Sequence, residues 1–252
     1  MQDFEEQALV EANELTEEQY QAFLGMMEQI PTPRAPITGA AARLLFEFME
    51  DSGCRVTEAL HVKKKDIDFR TRILTVTHPK SEKQCPCSRW KYKDLYSRAR
   101  VLDYADRDCS KCHGKGKYKK PQRTTITPRL APRLYQYCES LAENDLLWPI
   151  SRKSVWKWGK RAGEKAGIRI FQQKDNIMIE GIFPHLFRAL CSKRTTALAK
   201  DDKYKDALVA CKMRHSYQVV TDRYTKITIN YLVSWESRVY SQAGLLASNP
   251  AG

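Results

Sequence analysis

The sequence PHLFR at residues 184–188 and the sequence MRHSYQVVTDRY at residues 213–224 decide which fold this chain is predicted to have. His185 and Arg188 are three residues apart, so they share one face of a helix. His215 and Tyr224 are nine residues apart, which leaves room for a turn and a short helix. Because a fixed cation can bind a phosphate and a phenol can attack phosphorus, these four side chains predict a phosphate site.

The composition predicts a folded core and a polyanionic partner. The chain has 252 residues, 42% of them hydrophobic, which is enough for one large domain or two small ones. Its formal net charge is +13, yet the first 30 residues contain eight acidic side chains and no lysine or arginine. The remainder is therefore strongly basic, with aromatic and arginine-rich segments interleaved. This pattern favours nucleic acid as the partner, the alternative being a basic protein that binds none.

The chain shows neither a membrane span nor a signal peptide. No apolar run approaches the ~20 residues that cross a bilayer, and no charged and apolar leader opens the sequence. We expect no membrane partner and a cytoplasmic, nucleic-acid-associated location, or a nuclear one in a eukaryote. The eight cysteines are then not expected to form a disulfide framework.

The hydrophobic pattern predicts a mainly helical chain with a small antiparallel sheet. Residues 1–14 form an acidic lead, and Thr16-Glu17-Glu18-Gln19 is a capping box that starts a helix to about Ile30. A second helix from about Ile37 to Asp51 is closed by Gly53. The other predicted elements are a short helix at 56–61, strands at 73–77 and 123–127, a helical stretch at 128–142, and helices at about 152–166, 185–199, 202–212, 217–224 and 229–242.

An insertion, residues 81–122, separates the two predicted strands and contains two short cysteine pairs, Cys85-Pro86-Cys87 and Cys109-Ser110-Lys111-Cys112. Four thiolates on two tight turns suit tetrahedral Zn²⁺, so we predict a structural zinc site with His113 as a possible replacement ligand. The alternative is a loop of reduced, unliganded cysteines. The C-x-x-C-H pattern that ends at His113 also fits haem attachment, which we reject because there is no export signal and another thiol pair is close by.

Lysine and arginine are frequent in the same insertion, which we therefore expect to lie against nucleic acid. The isolated cysteines are interpreted as small core residues; they are Cys54, Cys138, Cys191 and Cys211.

Six short motifs follow one another along the chain at specific spacings. They are Thr16-Glu17-Glu18, Ser52–Leu60 followed by Asp66-Ile67-Asp68, Lys80 at the end of the first strand, Arg123 with Pro128, Pro184–Arg188, and His215 with Tyr224. In this order they resemble the catalytic domain of a tyrosine recombinase (phage- or Xer-type integrase), and the resemblance covers Leu15 to Tyr224.

The chain departs from the family pattern at identifiable places. Met213-Arg214 stands before His215 where the family usually has Leu-Gly, and Ala189 stands where a histidine is frequent. The cysteine-containing insertion is unusual. Only about 14 residues precede the first predicted helix, so the family's separate N-terminal core-binding domain is not seen, and we expect site recognition to depend on a partner.

The resemblance implies an α+β fold, mainly α, with a small antiparallel β-sheet and an inserted cysteine-rich, zinc-binding hairpin. The catalytic domain would span residues 15–230, with the basic insertion at 81–122. Residues 231–252 would form a C-terminal tail, either docked on a neighbouring protomer or packed on their own domain.

The implied function is site-specific cleavage and rejoining of double-stranded DNA, as a homotetramer, with no cofactor in catalysis. Arg55 and Arg188 would bind the scissile phosphate, and Tyr224 would be the nucleophile that forms a 3′-phosphotyrosyl link. His185 would be the general base. Lys80, or Lys83 in its place, would be the general acid. His215 would contact the phosphate and orient Tyr224, while Glu58 would brace Arg55 and Asp66 would cap or pair nearby.

Two other functions fit the same residues. A type IB topoisomerase would use the same chemistry without site preference. A non-catalytic DNA-binding accessory protein derived from a recombinase would keep only the affinity for DNA.

Overall fold

The computed structural model describes residues 15–30, 35–79, 82–92, 100–174, 177–182, 184–214 and 228–244. The chain forms two compact units, one made of Met1–Thr75 with Arg123–Gly252 and the other of Val76–Gln122. No described helix is both long and apolar enough to cross a membrane.

The first two helices begin and end where short-range chemistry predicts. Helix α1, Glu17–Met27, starts at a capping box in which Thr16 and Gln19 bind each other's backbone N–H groups. Helix α2, Gly39–Ser52, starts at Thr38 and ends at Gly53, which has φ 63°. A left-handed residue satisfies the last carbonyls of a helix, and glycine adopts this conformation without a steric penalty.

The remaining elements follow in chain order. They are α3 (Val56–Ala59), a 3₁₀ turn (Lys64–Asp66), β1 (Ile67–Asp68), β2 (Ile73–Val76), β3 (Lys83–Gln84), β4 (Ser88–Tyr92), β5 (Arg100–Ala105), β6 (Lys117–Tyr118), β7 (Gln122–Thr125), α4 (Ala131–Cys138), α5 (Arg152–Lys165), β8 (Phe171–Lys174), β9 (Ile177–Glu180), α6 (Pro184–Leu198), α7 (Lys205–Met213) and α8 (Ile229–Gln242). The mainly helical fold with small antiparallel sheets is the fold class that the sequence predicts.

Among the described residues the strands form four small sheets. Strands β1, β2 and β7 make a three-stranded sheet in the order β1-β2-β7, with Ile67 opposite Leu74. The insertion contains two antiparallel pairs, β3 with β6 and β4 with β5. Strands β8 and β9 form a further hairpin, with Phe171 opposite Glu180.

The sequence analysis assigned no strand to the β8–β9 hairpin, and this omission was wrong. The two strands are only four residues long, and β8 consists of glutamine and lysine apart from its first residue, so neither produces a clear alternation. The predicted helix at 217–224 lies outside the described residues.

An aromatic cluster fixes helix α6 against α1 and α2. The ring of Phe187 lies 5.0 Å from that of Phe46, 5.2 Å from that of Phe23 and 6.1 Å from that of Tyr20. All four side chains are fully buried, and such pairs add about 0.5–1.5 kcal/mol each beyond the area they bury. Because Arg188 follows Phe187 in the chain, the cluster also fixes where Arg188 starts.

Helix α8 packs on the same chain. Leu232 and Trp235 join a buried cluster with Ala199, Ala207 and Leu208. Three of the apolar side chains that suggested docking on a neighbouring protomer are therefore internal; they are Leu232, Trp235 and Tyr240. Docking of residues 231–252 on another copy stays a prediction; Tyr231, 39% exposed, is an apolar side chain of α8 that remains accessible.

A buried ion pair joins α7, α8 and strand β7. The Lys212 ammonium donates to Glu236 Oε1 at 2.7 Å and to Thr125 Oγ1 and O at 2.9 and 3.1 Å. Both charged side chains are at most 3% exposed. Burial opposes the charge on Lys212, but Glu236 and Asp51 outweigh it and raise the pKa of this lysine. Lys212 is therefore charged in the folded protein.

Replacing Lys212 by methionine is expected to lower the free energy of unfolding by about 3–5 kcal/mol, because Glu236 is left as an uncompensated buried charge. Urea unfolding measures the loss, and Lys212→Met with Glu236→Leu should recover most of it. Lys160→Met is the matched control, since its ammonium meets Glu164 at 3.8 Å on the surface and should contribute less than about 1 kcal/mol. Equal losses in Lys212→Met and Lys160→Met would contradict the prediction.

Candidate active site and cysteine cluster

The turn after helix α2 places Arg55. Ser52 Oγ donates to Phe48 O at 2.6 Å and accepts from Cys54 N at 3.2 Å, so the serine side chain spans the reversal. A side chain at Gly53 would lie 3.0 Å from Met213 Sδ, so the left-handed turn is also closely packed. The chain leaves this turn at Arg55, which precedes α3.

Glu58 holds Arg55 by its backbone and its side chain. Glu58 Oε2 accepts from Arg55 N at 2.9 Å, and Glu58 Oε1 accepts from Arg55 Nη1 at 3.0 Å. The Arg55 side chain is 38% exposed, whereas that of Glu58 is fully buried. The structure confirms the predicted brace, and Asp66 likewise caps its own turn by accepting from Lys63 N at 3.0 Å.

Arg188 reaches the same turn from helix α6. Its Nη1 donates to Gly53 O, and its Nη2 donates to Met213 O. The side chain belongs to a residue that is only 4% exposed. Burial first, and then the neighbouring Arg214 and Arg55, lower the pKa of Arg188 to about 10. At neutral pH it is still a cation, because that pKa lies well above 7.

A third arginine, Arg214, completes the group, and the sequence analysis did not name it as a site residue. Arg214 Nη2 donates to Glu58 Oε2 at 2.6 Å and to Gly53 O at 3.2 Å, while Nη1 donates to Ser52 O at 3.2 Å. The signal was present in the sequence, since arginine stands where the recombinase pattern has glycine. The structure shows where that arginine points.

Two of the three guanidinium groups, those of Arg55 and Arg214, bind the Glu58 carboxylate, so the described part of the site is net positive. Burial alone would raise the pKa of Glu58, but Arg214, the N–H of Arg55 and the Arg55 side chain outweigh it and lower that pKa. Glu58 is therefore ionised at neutral pH. Three fixed cations against one anion leave an excess positive charge, which suits an oxyanion such as a phosphate.

Of the other predicted catalytic residues, only some lie among the described residues. His185 lies exposed at the start of α6, one turn before Arg188. Lys80, His215 and Tyr224 lie outside the described residues. Lys83, the alternative to Lys80, is exposed on β3 in the unit Val76–Gln122. The described structure thus brings together Arg55, Arg188 and Arg214, with His185 on the helix that carries Arg188.

The four cysteines of the insertion converge. Their sulfur atoms all lie within 4.8 Å of one another, with Cys85–Cys87 at 3.3 Å, Cys87–Cys112 at 3.4 Å and Cys85–Cys109 at 3.7 Å. Four sulfurs bound at 2.3 Å around a tetrahedral zinc ion would lie about 3.8 Å apart. Among the described residues the converging ligand set is these four thiols, without His113. The cluster has the donor set and spacing for a metal ion.

Main-chain geometry builds the cysteine cluster. Cys85 N donates to Gly116 O at 2.9 Å, which holds the two turns together, and Lys115 N donates to Cys112 O at 2.9 Å within the second turn. Gly114 and Gly116 have φ of 77° and 68°, left-handed values that glycine adopts without a steric penalty. The N–H groups of Cys112 and Lys111 lower the pKa of Cys109 to about 7, which favours the thiolate that a metal needs.

Several solved structures are similar to this chain. The XerA recombinase shares 16% identity, and the match covers 91% of this chain and 64% of that one with a TM-score of 0.46. The XerH site-specific recombinase, bound to its difH substrate, shares 18% identity. The match covers 92% of this chain and 52% of that one, with a TM-score of 0.46. The integrase from mycobacterium phage Brujita shares 15% identity, and the match covers 93% of this chain and 63% of that one with a TM-score of 0.49. The chain thus spans between half and two thirds of the length of these structures.

Sequence comparison identifies the family. No curated protein matches the chain. The family model described as "Phage integrase family" matches residues 13–230, which is most of the chain. The chain therefore belongs to the phage integrase family, the tyrosine recombinases.

Proposed function

We propose that this chain cleaves and rejoins DNA strands at specific sites through a covalent 3′-phosphotyrosyl intermediate. The observation that carries the proposal is the convergence of Arg55, Arg188 and Arg214 around the Gly53 carbonyl and Glu58, in a chain of the recombinase family. Such a group binds a phosphodiester and stabilises the extra charge that its oxygens acquire in a pentavalent transition state.

Arg55 is the cation best placed to meet DNA. Its side chain is 38% exposed, and its contacts with Glu58 use one of five N–H donors. Arg188 has used two donors on the carbonyls of Gly53 and Met213, which leaves three for a phosphate oxygen. The two arginines would then bind the two non-bridging oxygens.

The remaining chemistry is assigned by the family pattern. Tyr224 attacks phosphorus and releases a 5′-hydroxyl. Since a phenol has a pKa of about 10, it needs a base, and His185 has that role. Lys80, or Lys83, protonates the leaving oxygen, and His215 orients the phosphate and Tyr224. The phosphotyrosyl bond conserves the phosphodiester energy, so rejoining needs neither a nucleotide nor a metal. The assembly on DNA would be a homotetramer.

Incubation with nicked suicide duplexes carrying candidate sites should give a covalent protein–DNA adduct on a denaturing gel. Tyr224→Phe should abolish the adduct, because no hydroxyl is left to attack phosphorus. Tyr231→Phe, a matched change at an exposed tyrosine of α8, should keep it.

Two outcomes would replace the proposal with one of its alternatives. Relaxation of supercoiled plasmid without site preference would indicate a type IB topoisomerase. DNA binding without any adduct would indicate a non-catalytic accessory protein.

We further propose that Cys85, Cys87, Cys109 and Cys112 hold one structural Zn²⁺. The support is the approach of four sulfurs to the separations that tetrahedral coordination requires. Zinc would join the turn before β4 to the turn before β6 and so stabilise the insertion.

Purified protein should contain about one zinc per chain by elemental analysis, and Cys112→Ser should lose most of it, because three thiolates bind far more weakly than four. Cys211→Ser, at a partly exposed cysteine outside the cluster, is the control and should retain the metal. Zinc near zero in the unmutated protein would refute the site.

The insertion is also proposed as a DNA-binding surface. Besides Lys83, five of its lysines are exposed among the described residues; they are Lys111, Lys115, Lys117, Lys119 and Lys120. Replacing them together by alanine should reduce the slope of log affinity against log salt by about 0.9 for each phosphate that the variant no longer neutralises. Fluorescence anisotropy over a salt series measures the slope, and an unchanged slope would exclude the surface.

A further inference from the structure

Arg214 has a backbone conformation that an arginine rarely adopts. It ends α7 with φ 55° and ψ 35°, in the left-handed region. For an L-residue with a side chain this conformation costs about 1–2 kcal/mol, whereas glycine adopts it freely. A residue that serves only to end a helix in this conformation is usually glycine. The side chain must supply something that offsets the backbone strain.

That side chain is almost wholly buried among the residues that place Arg55. It is 3% exposed, and its donors bind Ser52 O, Gly53 O and Glu58 Oε2. The carboxylate of Glu58 is thus shared: one oxygen accepts from Arg55 Nη1, and the other accepts from Arg55 N and from Arg214. Arg214 Nε has no hydrogen-bond partner among the described residues.

We propose that Arg214 is a positioning residue that orients the phosphate-binding Arg55 by holding Glu58 ionised between the two guanidinium groups. The inference rests on the proposed strand-cleavage function, in which Arg55 binds the scissile phosphate. Arg214 also connects the end of α7, from which the chain continues to His215, to the turn that carries Arg55.

The physical reason is the burial of Glu58. Its side chain is fully buried, so its negative charge depends on the donors around it. Removing Arg214 removes a charge-assisted hydrogen bond and raises the pKa of Glu58. A protonated Glu58 no longer attracts the Arg55 guanidinium, which is then free to leave its orientation.

Arg214→Gly is the sharpest test, because glycine removes the guanidinium and relieves the left-handed strain at once. Formation of the covalent adduct on suicide DNA should slow by about tenfold or more, since a charge-assisted hydrogen bond contributes roughly 1.5–3 kcal/mol. The acid limb of the rate–pH profile should move to higher pH, because Glu58 is then protonated at higher pH. Arg214→Lys should recover part of the rate and of the acid limb.

The chain offers a matched control. Arg72 has the same φ of 55°, and its guanidinium also binds main-chain and side-chain oxygens, Val233 O at 3.1 Å and Ser237 Oγ at 2.7 Å. Arg72→Gly should leave the acid limb where it is. A profile for Arg214→Gly that coincides with that of the unmutated protein would overturn the inference.

A second measurement separates this inference from the function on which it rests. Because the folded pKa of Glu58 is lowered, its stabilising contribution is present above the unfolded pKa of about 4.3 and is lost as pH falls through the folded pKa. The difference in unfolding free energy between the unmutated protein and Arg214→Gly should therefore shrink towards acid pH. In a Glu58→Gln background that pH dependence should disappear.

The two failures then look different. Absence of an adduct with the unmutated protein refutes strand cleavage, and the unfolding cycle still decides whether Arg214 and Glu58 are coupled. Equal pH dependence in the two backgrounds refutes the coupling, whatever the adduct assay shows.

Discussion

Two main-chain carbonyls, those of Ser52 and Gly53, set the requirement that the rest of this structure meets. They belong to a left-handed turn at the end of α2, and both are withdrawn from solvent. Ser52 O accepts from Thr124 Oγ1 and Arg214 Nη1, and Gly53 O accepts from Arg188 and Arg214. A buried carbonyl without a hydrogen-bond donor costs about 1–3 kcal/mol, so the folded structure has to place a donor on each of these carbonyls. The elements that bring them are β7, α6 and the end of α7.

This requirement explains why charged groups can be assembled in the interior. Arg188 and Arg214 are cations with little access to water. Arg188 donates to two main-chain carbonyls, whereas Arg214 divides its donors between two carbonyls and the Glu58 carboxylate. Glu58 is the one acidic partner that the described residues place on Arg55 and Arg214 together. The excess positive charge is thereby kept available for a ligand. A site saturated with carboxylates would have no net attraction for a phosphate.

Short-range sequence patterns predicted much of the fold and part of the site. The Thr16 capping box, the Gly53 reversal and the Glu58 brace of Arg55 all involve residues within three positions of one another, so spacing alone predicts them. The four cysteines were also predictable, because thiol pairs on tight turns have few other uses. What a single sequence cannot provide is a partner far away in the chain. Arg214 contacts Glu58 across 156 positions, and Lys212 contacts Thr125 across 87.

The same limit applies to backbone conformation. A glycine in the sequence indicates where a left-handed residue can occur, whereas the sequence around an arginine does not predict that conformation. The sequence therefore showed only that glycine is missing before His215. The β8–β9 hairpin was missed for a different reason: β8 is mostly glutamine and lysine and β9 is mostly apolar, so neither four-residue strand shows a clear alternation.

The buried ion pair of Lys212 and Glu236 has a consequence for the length of the segment between α7 and α8. It clamps α7 to α8, so residues 215–227, with His215 and Tyr224 among them, join two anchors whose separation is fixed. The entropy of closing a chain between fixed ends grows only logarithmically, by about 0.6 kcal/mol for each doubling. Inserting or deleting a residue there would hardly change closure, yet it would alter the register between imidazole and phenol. In the proposed reaction, the nine-residue interval from His215 to Tyr224 would be set by the chemistry, because chain closure alone tolerates a change in length.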